Sequence, residues 1–143
     1  MTVTDHPEIL EAPAYQQVAF DLYRDIHKGI RADLFAVTGE AGRLDPADRA
    51  GRHALAGHVH ATVDLLVSHA EHEDVHVDPT LEQHHPALSE QIRADHAVLD
   101  ARLLDLAALA DETVDATAAE QAGRVHRLYL DLASFTAAYL AHQ

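Results

Sequence analysis

Apolar residues recur at steps of three and four along most of the chain, which is the period of an α-helix with one buried face. Gly39 and Gly42 predict the end of a first helix, and a turn follows in which Asp45 is the predicted cap of the next helix. Pro46 suits the first turn of that helix. The first helix starts after residue 13, and its predicted buried stripe consists of Phe20, Tyr23, His27, Ile30, Leu34 and Val37.

Three more stripes follow the first, and each of them also contains a histidine among apolar residues. The second helix ends before Pro79, and its stripe is Leu55, Thr62, Leu65, His69, Glu73 and His76. Residues 80–85 form a predicted link. A third helix starts near Pro86 and carries Leu88, Ile92, His96, Leu99, Leu103, Leu106 and Ala110. The fourth carries Ala118, Val125, Leu128, Leu132, Phe135, Tyr139 and His142.

These stripes predict an all-α protein, an up-down-up-down antiparallel four-helix bundle over residues 13–143, after a flexible acidic lead over residues 1–12. No alternating pattern competes as a strand. When the stripe histidines His27 and His69 are placed at one depth in the bundle, the second helix extends farther than the first at the end that the two helices share. Either the first helix continues past Gly39, or Gly51 and Gly57 mark a bend in the second.

The composition limits the function classes. The chain has 24 acidic against 10 basic residues, a net charge of −14, which argues against nucleic acid and against an anionic membrane surface as partners. It has no cysteine, so thiolate metal sites and cysteine nucleophiles are excluded. Its acidic start does not resemble a secretory signal, and the apolar run from Leu103 to Ala110 is too short to span a membrane. We therefore expect a soluble, cytoplasmic protein.

The histidines point to the chemistry. The chain contains 13 of them, and imidazole is the commonest metal ligand among side chains. His69 and Glu73 are four residues apart, so they lie on the same face of a helix. A single histidine in an apolar stripe is usually a hydrogen-bonded core residue. Burying four of them with a carboxylate and no shared partner would cost about 1–3 kcal/mol for each unsatisfied group, which a metal ion avoids.

Imidazole and carboxylate ligands without sulfur suit iron, manganese, zinc or nickel. Here the chain resembles the hemerythrin-like, or HHE cation-binding, domain over roughly residues 15 to 143. The resemblance rests on His27 in Asp-Ile-His-Lys-Gly-Ile-Arg, on His69-x-x-x-Glu73-Asp with Pro79 after it, on Asp-His96 and on His142. It implies a non-haem di-iron centre whose two ions could share an oxo bridge. The implied ligands are His27, His69, Glu73, His96 and His142, with Glu73 bridging the ions.

The resemblance also implies that the protein binds or senses dioxygen, peroxide or nitric oxide, or handles iron. Two departures from the family pattern qualify this expectation. The acid that the family carries after the last histidine would fall beyond Gln143, so the site could hold one ion, two or none, and adding such an acid is expected to raise iron occupancy. The third helix has Asp100 where oxygen carriers have a second histidine, which argues against oxygen carriage in the strict sense.

The remaining histidines receive lesser roles. His76 could substitute for a ligand, and His72 is placed on the rim. His58 lies about 16 Å along the helix from His69, too far to share its metal. The others are predicted to lie at the surface or in links: His6, His60, His84, His85 and His126. The phenols of Tyr23 and Tyr139, each one turn from a histidine of a buried stripe, could donate hydrogen bonds to a ligand at the metal.

A second function class stays open from the sequence. The bundle could be a structural or interaction module whose histidines bind zinc or nickel adventitiously, or whose protonation loosens the core at low pH. No nucleophile with a partner base is identifiable, so the sequence predicts no turnover of an organic substrate. Decomposition of peroxide at a di-iron centre is the one enzymatic activity that the resemblance leaves open.

Overall fold

The computed structural model describes residues 22–142, and this part of the chain is all-helical without a strand. Its five helices are α1 (Leu22–Arg43), α2 (Arg49–His76), α3 (Asp78–His84), α4 (Pro86–Val114) and α5 (Gln121–His142). Each of the long helices α1 and α4 packs against both α2 and α5, and the short α3 packs on α2 and α4. The predicted all-α class and a helical bundle are thus confirmed. The predicted acidic lead and Phe20 lie outside the described residues.

The start of α2 differs from the prediction. Its N-cap is Asp48, whose side chain accepts a hydrogen bond from the backbone N–H of Gly51 at 3.0 Å, whereas Asp45 was predicted. Asp45 instead accepts from the N–H of Ala47 at 2.9 Å within the preceding turn. The length mismatch is resolved by α1, which continues past Gly39 to Arg43. A glycine inside a helix costs only about 1 kcal/mol, so it does not by itself end one.

The predicted link at residues 80–85 is wrong in part, because α3 occupies most of it. Pro79 lies in the first turn of this helix, where its missing N–H costs no hydrogen bond. Asp78 fastens α3 to α4: its carboxylate accepts a short hydrogen bond from the hydroxyl of Ser89 and lies 3.6 Å from Nε of Arg93. The chain therefore crosses from α2 to α4 by way of a helix that is held in place.

The core follows the predicted stripes with four exceptions, of which the exposed His76 is one. Leu65 is 36% exposed and Leu66 only 2%, so the buried stripe of α2 steps from Thr62 to Leu66 where Leu65 was predicted. Leu88 is half exposed, and the buried residue beside it is Ser89. Ala118 is exposed and precedes α5. The largest fully buried apolar side chains are Ile30, Leu34, Val37, Leu55, Val59, Leu128, Leu132 and Phe135.

Arg52 is the buried charge at one end of the bundle. It lies near the start of α2 and is 3% exposed. Its Nε donates to the backbone carbonyl of Thr113, near the end of α4, at 2.9 Å, and its Nη1 donates to the carbonyl of Pro46. The guanidinium thus joins two helix ends and the turn before α2. None of the helices within residues 22–142 combines the length and apolar character needed to cross a membrane.

Candidate metal centre

The five predicted site residues come together at the other end of the bundle. His27 lies in the early turns of α1 and His96 in the first half of α4, while His142 ends α5. His69 and Glu73 lie in the last two turns of α2. The helical periods that bury Ile30, Leu66, Leu99 and Tyr139 turn these polar side chains to the same interior. His27 and His96 are buried, and the other three side chains are between 10% and 16% exposed.

Glu73 lies between two pairs of histidines. Its Oε1 is 3.3 Å from Nε2 of His69 and 3.7 Å from Nε2 of His27. Its Oε2 is 3.2 Å from Nε2 of His96. The rings within each pair touch edge to face: the centroids of His27 and His69 are 4.8 Å apart, and those of His96 and His142 are 5.0 Å apart. Each carboxylate oxygen therefore faces a different histidine pair.

The result is two groups of three ligands that share one carboxylate. His27, His69 and Glu73 form the first group, and Glu73, His96 and His142 form the second. In each group, one donor atom per residue lies within 4.8 Å of the others. All donors are imidazole nitrogen or carboxylate oxygen, which suits iron, manganese, zinc and nickel. The residues present therefore fit a pair of metal ions bridged by Glu73.

Two aspartates form hydrogen bonds with the histidine ring nitrogens that face away from the centre. Asp74 Oδ1 lies 2.9 Å from Nδ1 of His96, and Asp95 Oδ2 lies 3.3 Å from Nδ1 of His142. A carboxylate only accepts, so each Nδ1 carries the proton and leaves Nε2 to face the centre. Carboxylates commonly orient metal-binding histidines in this way. The sequence predicted no role for either aspartate, although both directly follow or precede a site residue.

The electrostatics of the five side chains favour a charged pair of Glu73 and His96. Burial by itself raises the pKa of the Glu73 carboxyl, but hydrogen bonds from His69 and His96 outweigh it and hold that pKa well below its usual range. The hydrogen bond with Glu73 raises the pKa of His96 to about 9, against the opposing effect of burial and with a further contribution from Asp74. A metal ion must displace the His96 proton, because only the neutral ring has a free lone pair on Nε2.

A cavity of about 90 Å³ connects the centre with the underside of α3. His27, Glu73 and His142 form its inner wall. The outer wall comes from the α2–α3 junction and α4, through Asp74, Val77, Asp78, Leu81 and Ile92. The way in which Asp78 fastens α3 thus sets the shape of one wall of this cavity.

The remaining predicted candidates are not among the five residues of the centre. His58 bridges Asp33 and Glu40 of α1, and His60 contacts Asp111 of α4 at 2.8 Å. Those two contacts were not predicted. Five further histidines are exposed, namely His72, His76, His84, His85 and His126. Tyr139 is buried, with its ring centroid 6.2 Å from that of His142. The side chain of Tyr23 and all of His6 lie outside the described residues.

Comparison with known protein families gives one match. The model of the hemerythrin HHE cation binding domain matches residues 18–142 of this chain. No match is found among curated proteins or among solved structures. The matched range contains all five residues of the candidate centre and the two aspartates that support it.

Proposed function

We propose that this chain, which belongs to the hemerythrin HHE cation-binding domain family, is a non-haem di-iron protein. The centre would bind dioxygen, peroxide or nitric oxide. The observation that carries the proposal is the position of Glu73, whose two oxygens face separate histidine pairs. Bridging carboxylates in a helical bundle core are the usual way in which proteins hold two iron ions.

The residues divide into ligands and supports. His27 and His69 would hold one ion, His96 and His142 the other, and Glu73 both. Glu73 supplies negative charge that lowers the cost of burying two cations. Asp74 and Asp95 fix the rings of His96 and His142, so these two histidines are already oriented before a metal binds.

The cavity beneath α3 fits a small ligand. Two ferrous ions, when bound, would supply a redox-active centre for a diatomic molecule or peroxide. A volume of about 90 Å³ corresponds to about three water molecules at roughly 30 Å³ each. Pockets for organic ligands of ordinary size are several times larger, about 300–1,000 Å³. The size of this cavity therefore suits dioxygen, peroxide or nitric oxide.

We also infer that the four long helices alternate in direction, as in an up-down-up-down bundle. The centre uses the N-terminal halves of α1 and α4 but the C-terminal ends of α2 and α5. At the other end, Arg52 near the start of α2 contacts the end of α4. Both observations support antiparallel neighbours.

Metal content tests the proposal. Protein purified without a metal-chelating resin and loaded anaerobically with ferrous iron is expected to hold about two irons per chain. Glu73→Ala should lose both, while Glu71→Ala, an exposed neighbour in the same helix, should keep them. Full iron content in Glu73→Ala would contradict the bridging role. A wild-type protein that takes up no iron would overturn the function.

A second candidate function has its own supporting observation. The site side chains contact one another directly: His69 and His27 nitrogens are 3.1 Å apart, and His96 bridges Glu73 and Asp74. Such a cluster could stabilise a structural bundle and bind zinc or nickel adventitiously. Competition between ferrous iron and zinc separates the two functions, since a structural module would show no uptake of iron under reducing conditions.

A further inference from the structure

We infer that His72 and His76 form a second site, at the surface, for one divalent transition-metal ion. The two residues are four apart in the last turns of α2, so they lie on one face of the helix. Both are exposed, and their ring centroids are 5.9 Å apart. They are separate from the five residues of the centre, which face the interior.

The hydrogen bonding of His72 prepares it as a ligand. Its Nδ1 lies 2.7 Å from the backbone carbonyl oxygen of Ser68, one turn earlier in α2. A carbonyl oxygen only accepts, so Nδ1 carries the hydrogen and Nε2 of the neutral ring keeps its lone pair. Metal-binding histidines commonly donate their other N–H to a backbone carbonyl, which fixes the tautomer and the orientation of the ring.

The spacing and the ligand type define the class of ion. Two imidazoles on one tetrahedral ion, with metal–nitrogen bonds of about 2.0–2.1 Å, hold their ring centres about 5 Å apart. The observed 5.9 Å becomes that distance by a small rotation of two exposed side chains. Two imidazoles without sulfur suit Zn²⁺, Ni²⁺, Cu²⁺ or Fe²⁺, and water fills the remaining positions. Calcium and magnesium, which require oxygen ligands, do not fit.

The position of the pair beside the centre assigns it a role in loading the centre with iron, and this role rests on the proposed function. His72 and His76 line a surface groove of about 520 Å³, and His69 and Glu73 of the centre line the same groove. The net charge of −14 concentrates cations near the surface. The pair thus captures a ferrous ion from solvent next to two ligands of the buried centre and speeds its loading.

A titration tests the surface site without reference to the centre. Iron-loaded protein, or the protein as purified if it takes up no iron, is titrated with Ni²⁺ and followed by calorimetry. The double variant His72→Ala/His76→Ala should bind Ni²⁺ at least about tenfold more weakly than wild type. The control His53→Ala/His126→Ala also removes two exposed imidazoles, but from different helices, and should bind as wild type does. Equal binding by wild type and the first double variant would overturn the site.

The loading role has a separate readout. Uptake of Fe²⁺ by metal-free protein should be several-fold slower in His72→Ala/His76→Ala than in the His53→Ala/His126→Ala control, with the same final iron content. Equal uptake rates would overturn the loading role and leave the Ni²⁺ result to decide on the site itself. Lower final content with an unchanged rate would assign the pair to the centre and overturn the inference of a separate site.

Discussion

The two ends of the bundle each bury charged groups, but they satisfy them in opposite ways. At one end, Arg52 donates to the main-chain carbonyls of Thr113 and Pro46. At the other, Glu73 is contacted by the side chains of His69 and His96. A main-chain carbonyl is fixed by the helix that carries it, whereas an imidazole can release a proton and bind a metal in its place.

This difference separates a structural charge from a site. The contacts of Arg52 tie helix ends together and leave no group that could bind a further ligand in their place. Glu73 and the four histidines around it come from four helices and form two groups of three ligand atoms, each of which could be occupied by an ion. Burial alone therefore does not identify a functional residue in this protein. The type of partner does.

The largest expected effect is a loss of bound iron, and it tests the two groups of three ligands separately. His69→Ala and His142→Ala each remove a ligand from a different group of three, so each should lose at least about half of the bound iron. Metal analysis after anaerobic loading measures this content. His126→Ala, on the exposed side of α5, is the matched control and should keep full content. Unchanged iron in His69→Ala would remove His69 from the centre.

The next effect tests the Arg52 end. Arg52→Met keeps most of the volume but leaves the carbonyls of Thr113 and Pro46 without their donor, so the free energy of unfolding should fall by about 3 kcal/mol. For a chain of this length, that lowers Tm by about 6–12 °C. Iron content per folded chain should not change. Arg124→Met, which removes exposed ion pairs with Glu112 and Glu120, should lower Tm much less than Arg52→Met does.

An equal loss of stability in Arg52→Met and Arg124→Met would show that the buried hydrogen bonds of Arg52 stabilise the fold no more than a surface ion pair does. A loss of iron in Arg52→Met would show that the two ends of the bundle are coupled. Either outcome would break the contrast between a structural end and a binding end.

A smaller effect concerns the aspartates behind the histidines. Asp74→Ala and Asp95→Ala should each weaken iron affinity about tenfold, because His96 or His142 loses the partner that fixes its ring. Competition with a chromophoric chelator measures the affinity. Glu71→Ala changes the charge equally without a site contact and serves as the control. If all three variants bind equally, general charge rather than ring orientation sets the affinity.

The smallest effect lies between the two ends, at His58. Its hydrogen bond with Glu40 raises the pKa of His58, against burial and with help from Asp33. A raised folded-state pKa means that the charged ring stabilises the fold fully below pH 6.5 and that this contribution is lost as pH rises through the raised value. His58→Gln should therefore be less stable than wild type at pH 6 by under about 1 kcal/mol, and the gap should close at higher pH.

Chemical denaturation of both proteins at several pH values measures that gap, and His53→Gln, exposed in the same helix, is the control. A gap that widens as pH rises would have the wrong sign and would exclude stabilisation by the charged form of His58. The comparison between variants cancels the titration of other groups, since these are common to all three proteins.

The sequence predicted the parts that depend on local period. His27, His69, His96 and His142 fall at positions where a helix with a 3.6-residue turn needs an inward residue, so their placement at one interior follows from spacing. The same reasoning placed Leu65 inside, although Leu66 is buried there, because a step of three or of four residues after Thr62 continues a helical stripe equally well.

The hydrogen bonds between different helices could not be predicted from the helical period. Asp74 lies on α2 and holds His96 of α4, and Asp95 lies on α4 and holds His142 of α5. Neither pairing has a spacing that a sequence period would reveal. The helix α3 was missed because Pro79 was interpreted as a stop, whereas a proline in a first turn is equally compatible with a start.

The placement of His27 and His142 has a mechanical consequence. These two residues lie near the two sequence ends of the described chain, and they share one wall of the same cavity. A metal pair that shares Glu73 would join α1 to α5 through that carboxylate, as a cross-link that encloses most of the described residues. A force that pulls the two ends of the chain apart would then act on the metal–ligand bonds before it reaches the apolar core.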